Sequence, residues 1–194
     1  MPIEIGLFEF LHGLAGKSAL FDFLFVLLAR WLPYVLVAMA TFFLFTRKGS
    51  LAKVWGACVV GLTVVLSRGI LVELISYSYA RPRPNVLLGF DALIPIFTSA
   101  FPSGHASAFF ALAAATYFLN REWGKWFWIL AGVNAIARII AGVHWPTDIL
   151  GGLAVALISF FAVKKLLLPF VPKPKTEPRL HDSFSSVKDI KHPE

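Results

Sequence analysis

Five long apolar runs, roughly 19–46, 53–79, 104–120, 126–142 and 147–168, decide what this chain can fold into. Each is near or above the ~20 residues a helix needs to cross a hydrocarbon core, the third and fourth close to the lower limit of ~17. Apolar residues follow one another in these runs without the one-sided stripe of a soluble helix. With 58% of the 194 residues hydrophobic, the chain is too apolar for a water-soluble domain. The expected fold is an all-α polytopic membrane helix bundle with about five transmembrane helices. Residues 1–18 read differently: Phe8, Phe10, Leu11 and Leu14 mix with Glu4, Glu9, His12 and Lys17, as in an N-terminal helix lying in the interface. No basic segment precedes the first apolar run, so a cleavable signal peptide is not expected.

One membrane domain is expected over 1–171, an interfacial helix at 1–18 followed by a spanning bundle at 19–168. The remainder, 172–194, mixes Pro, Lys and Ser with nearly balanced charge and reads as a disordered tail. The net charge of +7 raises nucleic acid as a partner, but the basic residues form no single patch. Arg47, Lys48, Lys53, Arg121, Lys125, Lys164 and Lys165 all fall in one alternate set of loops and helix ends. That asymmetry makes their side cytoplasmic, with the tail inside and the N-terminus outside. Cys58 is alone and sits within the second run, where it packs rather than pairs.

Against this background stand Pro102-Ser103-Gly104-His105 and Arg138-x5-His144-x3-Asp148. Ionisable groups at the ends of apolar segments are costly and mark a working site. Five alternating helices also make a geometric test. The second ends near Tyr79 and delivers Ala80-Arg81-Pro82-Arg83-Pro84; the third starts at Ser103; the fourth carries Arg138 near its end, with Gly142 as its stop. His144 follows in the turn, and Pro146 opens the fifth. All of these land on one face, the extracytoplasmic one.

The residue types point to anion chemistry. Ser103 is a good N-cap, and the free N–H groups around Gly104 and His105 face an anion at the positive end of a helix. Arg138, with Arg81 or Arg83, has the fork geometry that grips phosphate oxygens. His144 and Asp148 are four residues apart, so the carboxylate can hold one ring nitrogen and leave the other as nucleophile or base. His105, from another helix, is the partner acid. A metal held by the two histidines and Asp148 is the competing reading, opposed by the neighbouring arginines and the lack of a fourth ligand. Arg30, Arg68, Asp22 and Glu73 are read as an ion-pair network joining the first two helices, a substrate contact for Arg68 or Glu73 being the alternative. Asn134, one turn before Arg138, either orients it or packs. Thr98 and Ser99 are read as closing turns of the outer loop.

These motifs resemble the membrane branch of the type-2 phosphatidic acid phosphatase superfamily, whose signatures are Lys-x6-Arg-Pro, Pro-Ser-Gly-His and Ser-Arg-x5-His-x3-Asp. The second is complete at Pro102–His105; the third matches at Arg138, His144 and Asp148, with Ala137 in place of serine. The first is partial: Arg83-Pro84 or Arg81-Pro82 supplies the pair, while the lysine position is Ser76 or Leu74. The likeness covers about residues 53–165. Size, the interfacial segment with His12-Gly13 and the lysine-less Arg-Pro region resemble the bacitracin-resistance-type undecaprenyl-diphosphate phosphatases. The resemblance implies a metal-free, cofactor-free phosphatase of the bacterial plasma membrane, working on a polyprenyl diphosphate in the bilayer. His144, His105 and Asp148 would be catalytic, with Arg83, Arg81, Ser103, Gly104 and Arg138 binding phosphate. Phosphatases of phosphatidic acid, phosphatidylglycerophosphate or lipid A remain alternatives, as does a transporter or lipid-binding protein, although no inverted repeat is visible.

Overall fold

The computed structural model describes residues 2–96 and 98–172, and among them every regular element is helical. A short helix α1 (Pro2–His12) precedes two long ones, α2 (Ala19–Thr46) and α3 (Ser50–Ser78). A loop with one short helix, α4 (Pro84–Leu88), leads to α5 (Gly104–Leu119), α6 (Arg121–Ile140) and α7 (Pro146–Leu167), which ends in a 3-10 turn at Leu168–Phe170. The helices Ala19–Thr46, Ser50–Ser78 and Pro146–Phe170 are long and apolar enough to cross a membrane. The apolar α5 has 16 residues, and α6 has 20 with Asn134 and Arg138 among them. These two are about 24 and 30 Å long at 1.5 Å per residue. The tail expected beyond Pro172 lies outside the described residues.

Some ends differ from those read off the apolar runs. Helix α6 starts at Arg121 rather than 126, because Asn120 caps it by accepting the Trp123 N–H at 3.0 Å. The charged Arg121, Glu122 and Lys125 then form its opening turns, where hydropathy alone saw a loop. Its far end is where Gly142 suggested: that residue takes φ +79°, a conformation that side chains with a Cβ avoid.

Helix α5 is the centre of the bundle. Its Ala111, Ala113 and Ala115 are fully buried, and such small side chains let the backbones of α6 and α7 come close. Phe127, Ala131 and Ala135 of α6 and Ala156 and Phe160 of α7 complete this core. In contrast, α2 and α3 bury narrow stripes, among them Leu36, Ala40 and Phe43, and Val59 and Val60. Their outer faces expose Phe21, Phe45, Val54 and Leu62, as a lipid-facing surface should.

Both long helices contain a π segment, Leu27–Trp31 in α2 and Val65–Leu71 in α3. A π turn inserts one residue, rotating the remainder of the helix by about 100° and loosening nearby carbonyls. In α2 the carbonyls of Leu28 and Ala29 accept from Asn134 Nδ2 at 2.7 and 3.4 Å, and Ala29 also accepts from Arg138 at 3.3 Å. In α3 the buried Ser67 bonds to the hydroxyl and carbonyl of Ser107, seating the π segment on α5.

The expected ion-pair network between α2 and α3 does not form. Arg68 pairs with Glu73 inside α3, across the π segment that aligns them. Asp22 instead accepts the Gly16 N–H at 2.9 Å, and Arg30 opens onto a space beside Arg138.

Helix α1 lies across the end of the bundle where α3 and α6 finish and α5 and α7 begin. Its Phe8 is 1% exposed, packed against Trp145, Phe90 and the stacked His12 ring. His12 Nδ1 is 2.8 Å from the Ile140 carbonyl. Ile3 and Phe10 point away from the protein, as in a helix that dips into an interface.

Candidate active site

At that end a cavity of about 170 Å³ brings together Arg83, His105, Arg138 and His144, with Gly104 in its wall. Four separate parts of the chain supply them: the loop before α4, the first turn of α5, the end of α6 and the turn into α7. Capping sets the start of α5. Ser103 Oγ accepts the Ala106 N–H at 3.4 Å to start α5, and the Ser103 N–H donates to the Asp148 carbonyl at 3.0 Å, locking α5 to α7.

The partners of His144 set its protonation. Nδ1 lies 3.0 Å from the Ala100 carbonyl, which only accepts, and Nε2 lies 3.3 Å from an Arg83 nitrogen, which only donates. The proton therefore sits on Nδ1, and Nε2 carries the lone pair. Burial, then the charges of Arg138 and Arg83, hold the imidazole well below its ordinary 6.5, so it stays neutral. Asp148 stands 3.5 Å from Nδ1. The brace expected from that carboxylate is thus given first by a backbone carbonyl, with Asp148 behind it.

Arg83 is 5% exposed and held by the Thr98 carbonyl at 2.7 Å, the Thr98 hydroxyl at 3.1 Å, and the carbonyls of Ser99 at 3.0 Å and Val143 at 2.5 Å. Burial lowers its guanidinium to about 10, still fully charged near neutrality. Thr98 and Ser99, read as turn closers, are the arms that aim this arginine. Arg138 is 3% exposed, and its Nε has no hydrogen-bond partner. An unsatisfied buried guanidinium nitrogen beside a cavity is prepared for an anion's oxygen.

Arg81 is placed elsewhere. It does not line the cavity; it donates to Asp148 Oδ1 at 2.7 Å and Glu4 at 2.9 Å, and touches Thr147, which also bonds to Glu4. Asp148, fully buried, spends its other oxygen on the Trp145 N–H at 2.7 Å. Burial alone would raise Glu4, but Thr147 and Arg81 hold it below its ordinary 4.5. Burial likewise acts against the Arg81 charge, and Asp148 and Glu4 more than offset it. Arg81 therefore bridges α1 and Asp148, and of the two arginines in the partial first motif Arg83 is the one that lines the cavity. Ser76, at the lysine position, borders the cavity and donates to the Phe101 carbonyl at 3.1 Å.

Sequence reasoning missed the Ala100 carbonyl and the Glu4 strut. A backbone acceptor carries no side-chain signal, and Glu4 is distant in sequence from everything it holds. Among the described residues no cluster of three or more His, Cys, Asp or Glu side chains is set to hold a metal. The cavity wall carries cations, with Glu73 as its one acid among the described residues.

Two histidines and three arginines thus line one cavity at the end of the helix bundle. The model of the PAP2 superfamily matches residues 55–170. This chain belongs to the PAP2 superfamily. Its relatives include the undecaprenyl-diphosphatase BcrC of Bacillus subtilis, 34% identical over 85% of this chain and 86% of that protein. The lipid A 4'-phosphatase of Porphyromonas gingivalis is 28% identical over 87% of this chain and 74% of its own length. In fold, the chain is similar to the crystal structure of Aquifex aeolicus LpxE, with a TM-score of 0.69, 24% identity, and coverage of 83% of this chain and 94% of that one. The PAP2 match spans α3 to α7 and so contains every cavity residue named here; the Glu4 strut lies outside it.

Proposed function

We propose that the substrate of this membrane phosphatase of the PAP2 superfamily is undecaprenyl diphosphate, hydrolysed on the extracytoplasmic side of a bacterial plasma membrane to undecaprenyl phosphate and phosphate. The observation that carries the mechanism is the lone pair of His144 Nε2, fixed by Ala100 and facing Arg83 in a cavity that Arg138, with its partnerless Nε, also lines.

The terminal phosphoryl group displaces Arg83 from Nε2 and takes up the bonds that Arg83 and Arg138 have to offer. His144 then attacks phosphorus in line; an N–P bond forms as the bond to the bridging oxygen breaks. His105 gives a proton to that oxygen, and lipid phosphate leaves. In the second half His105 takes a proton from water, whose oxygen attacks phosphorus, and the N–P bond breaks to return His144. Charge on the equatorial oxygens is met by the two guanidinium groups and the N–H groups at the start of α5. Asp148, neutralised by Arg81, steadies the imidazolium that forms.

The identity to a diphosphatase over most of both chains supports the diphosphate, whereas the lipid A relative keeps monoesters in view. Phosphate release from undecaprenyl diphosphate, phosphatidic acid and phosphatidylglycerophosphate, each with chelator present, separates them. The proposal expects the diphosphate to have the highest kcat/KM, and a preference for either monoester would overturn it.

A further inference from the structure

Arg68, Gly104 and His105 border two spaces at once. One is the polar cavity, and the other is an apolar groove of about 510 Å³ between α2, α3 and α5. On α3 the groove runs from Arg68 to Ala57, about 16 Å at the helical rise. Val37, Val60, Val64, Ala108 and Leu112 wall it, and the outward faces of Ala57 and Gly61 keep it open to the lipid side. A hydrocarbon chain fits such a wall, and its continuity with the catalytic cavity through three shared residues points to the substrate's own chain.

Arg68 stands at the junction. It belongs to the π segment of α3, and its guanidinium crosses directly over Gly104: a Cβ there would lie 2.6 Å from Nε and 3.1 Å from Cζ. Arg68 thus lies against the backbone of the motif glycine at the mouth of α5. Arg68 is tied to Glu73, yet its side chain remains 45% exposed. A charged residue in an apolar helix, facing an anion site, is poorly explained as packing.

We propose that Arg68 binds the lipid-side phosphate of a lipid diphosphate while the groove takes the hydrocarbon chain, so that Arg68 selects diphosphates over monoesters. This rests on the reading of the substrate as a diphosphate. The transferred phosphoryl group occupies Arg83 and Arg138 beside His144. His105 protonates the bridging oxygen, and the second phosphate therefore lies beyond His105, where groove and cavity meet. The negative charge of that phosphate draws Arg68 from Glu73. A monoester puts carbon in that place and leaves the Arg68–Glu73 pair undisturbed.

The test compares the unmodified protein with Arg68→Gln on undecaprenyl diphosphate and on p-nitrophenyl phosphate, which has no second phosphate. Loss of charged hydrogen bonds to one phosphate corresponds to a fall of about ten- to a hundredfold in kcat/KM for the diphosphate. The aryl phosphate should change less than about threefold, which also shows that the variant is folded. Arg68→Lys should recover part of the loss. Gly61→Phe, at a position with open space around its missing Cβ, should raise KM for the long-chain diphosphate alone. Equal losses on both substrates, or none on the diphosphate, would overturn the role of Arg68 and leave the substrate reading standing. Failure of the unmodified protein to cleave the diphosphate would remove the substrate reading and this role together.

Discussion

Replacing Arg81 by Ala separates a strut from a phosphate ligand. In the structure this side chain is 15% exposed and gives one nitrogen to Asp148 and another to Glu4. Its loss leaves Asp148, which is fully buried, with the Trp145 N–H as its remaining close partner. Removing one partner of a buried ion pair costs about 3–5 kcal/mol, because the other charge stays behind uncompensated. The lower end applies here, since the Trp145 bond survives, so Arg81→Ala should lower stability by about 3 kcal/mol. The same change loosens Asp148 behind His144. A transition-state penalty of about 1.4 kcal/mol from that loosening is a tenfold fall in kcat, while KM stays within about twofold because no substrate contact is lost. The assay is thermal unfolding in detergent beside steady-state kinetics, with Glu4→Gln and the double variant completing a cycle. The two substitutions should couple by about 1–3 kcal/mol. A severalfold rise in KM with unchanged stability would refute the strut and make Arg81 a phosphate ligand.

Three further outcomes are expected. His105→Ala should lower kcat/KM, which reports the phosphorylation half alone, only modestly for p-nitrophenyl phosphate but far more for alkyl monoesters, since good leaving groups need less proton transfer; equal losses of kcat/KM in a leaving-group series would argue against its role as acid. Because His144 is held below its ordinary 6.5 when folded, the unfolded chain takes up the proton first. Its contribution to stability is complete above about pH 6.5 and is lost as pH falls through the folded value; His144→Gln should flatten that part of the stability profile, read by unfolding at a series of pH values. Ser103→Ala should cost about 1 kcal/mol as a lost N-cap, seen in denaturation midpoints, with a smaller effect on kcat than any change at His144.

The sequence showed the helical membrane frame because unbroken apolar runs have few other solutions, and the convergence of motifs came from counting helix ends. Ser103, Gly142 and Pro146 act as the helix signals their residue types suggest. What it could not show depends on contacts made after packing. Arg81 and Arg83 are alike on paper, and only the docking of Glu4 decides which one turns away from the cavity. The π segments rotate Arg68 and open the carbonyls that hold Asn134 and Arg138, yet one extra residue per turn leaves no trace in an apolar pattern. Glu73 could be paired with a neighbour on either helix until that rotation was known.

In this mechanism Nε2 of His144 bonds covalently to phosphorus. Rapid quenching in alkaline detergent during turnover of terminally ³²P-labelled undecaprenyl diphosphate looks for that bond. Alkali-stable, acid-labile label should appear on His144, be chased away on further incubation and be absent from His144→Ala. Label that persists in His144→Ala, or turnover by that variant at the normal rate, would contradict it.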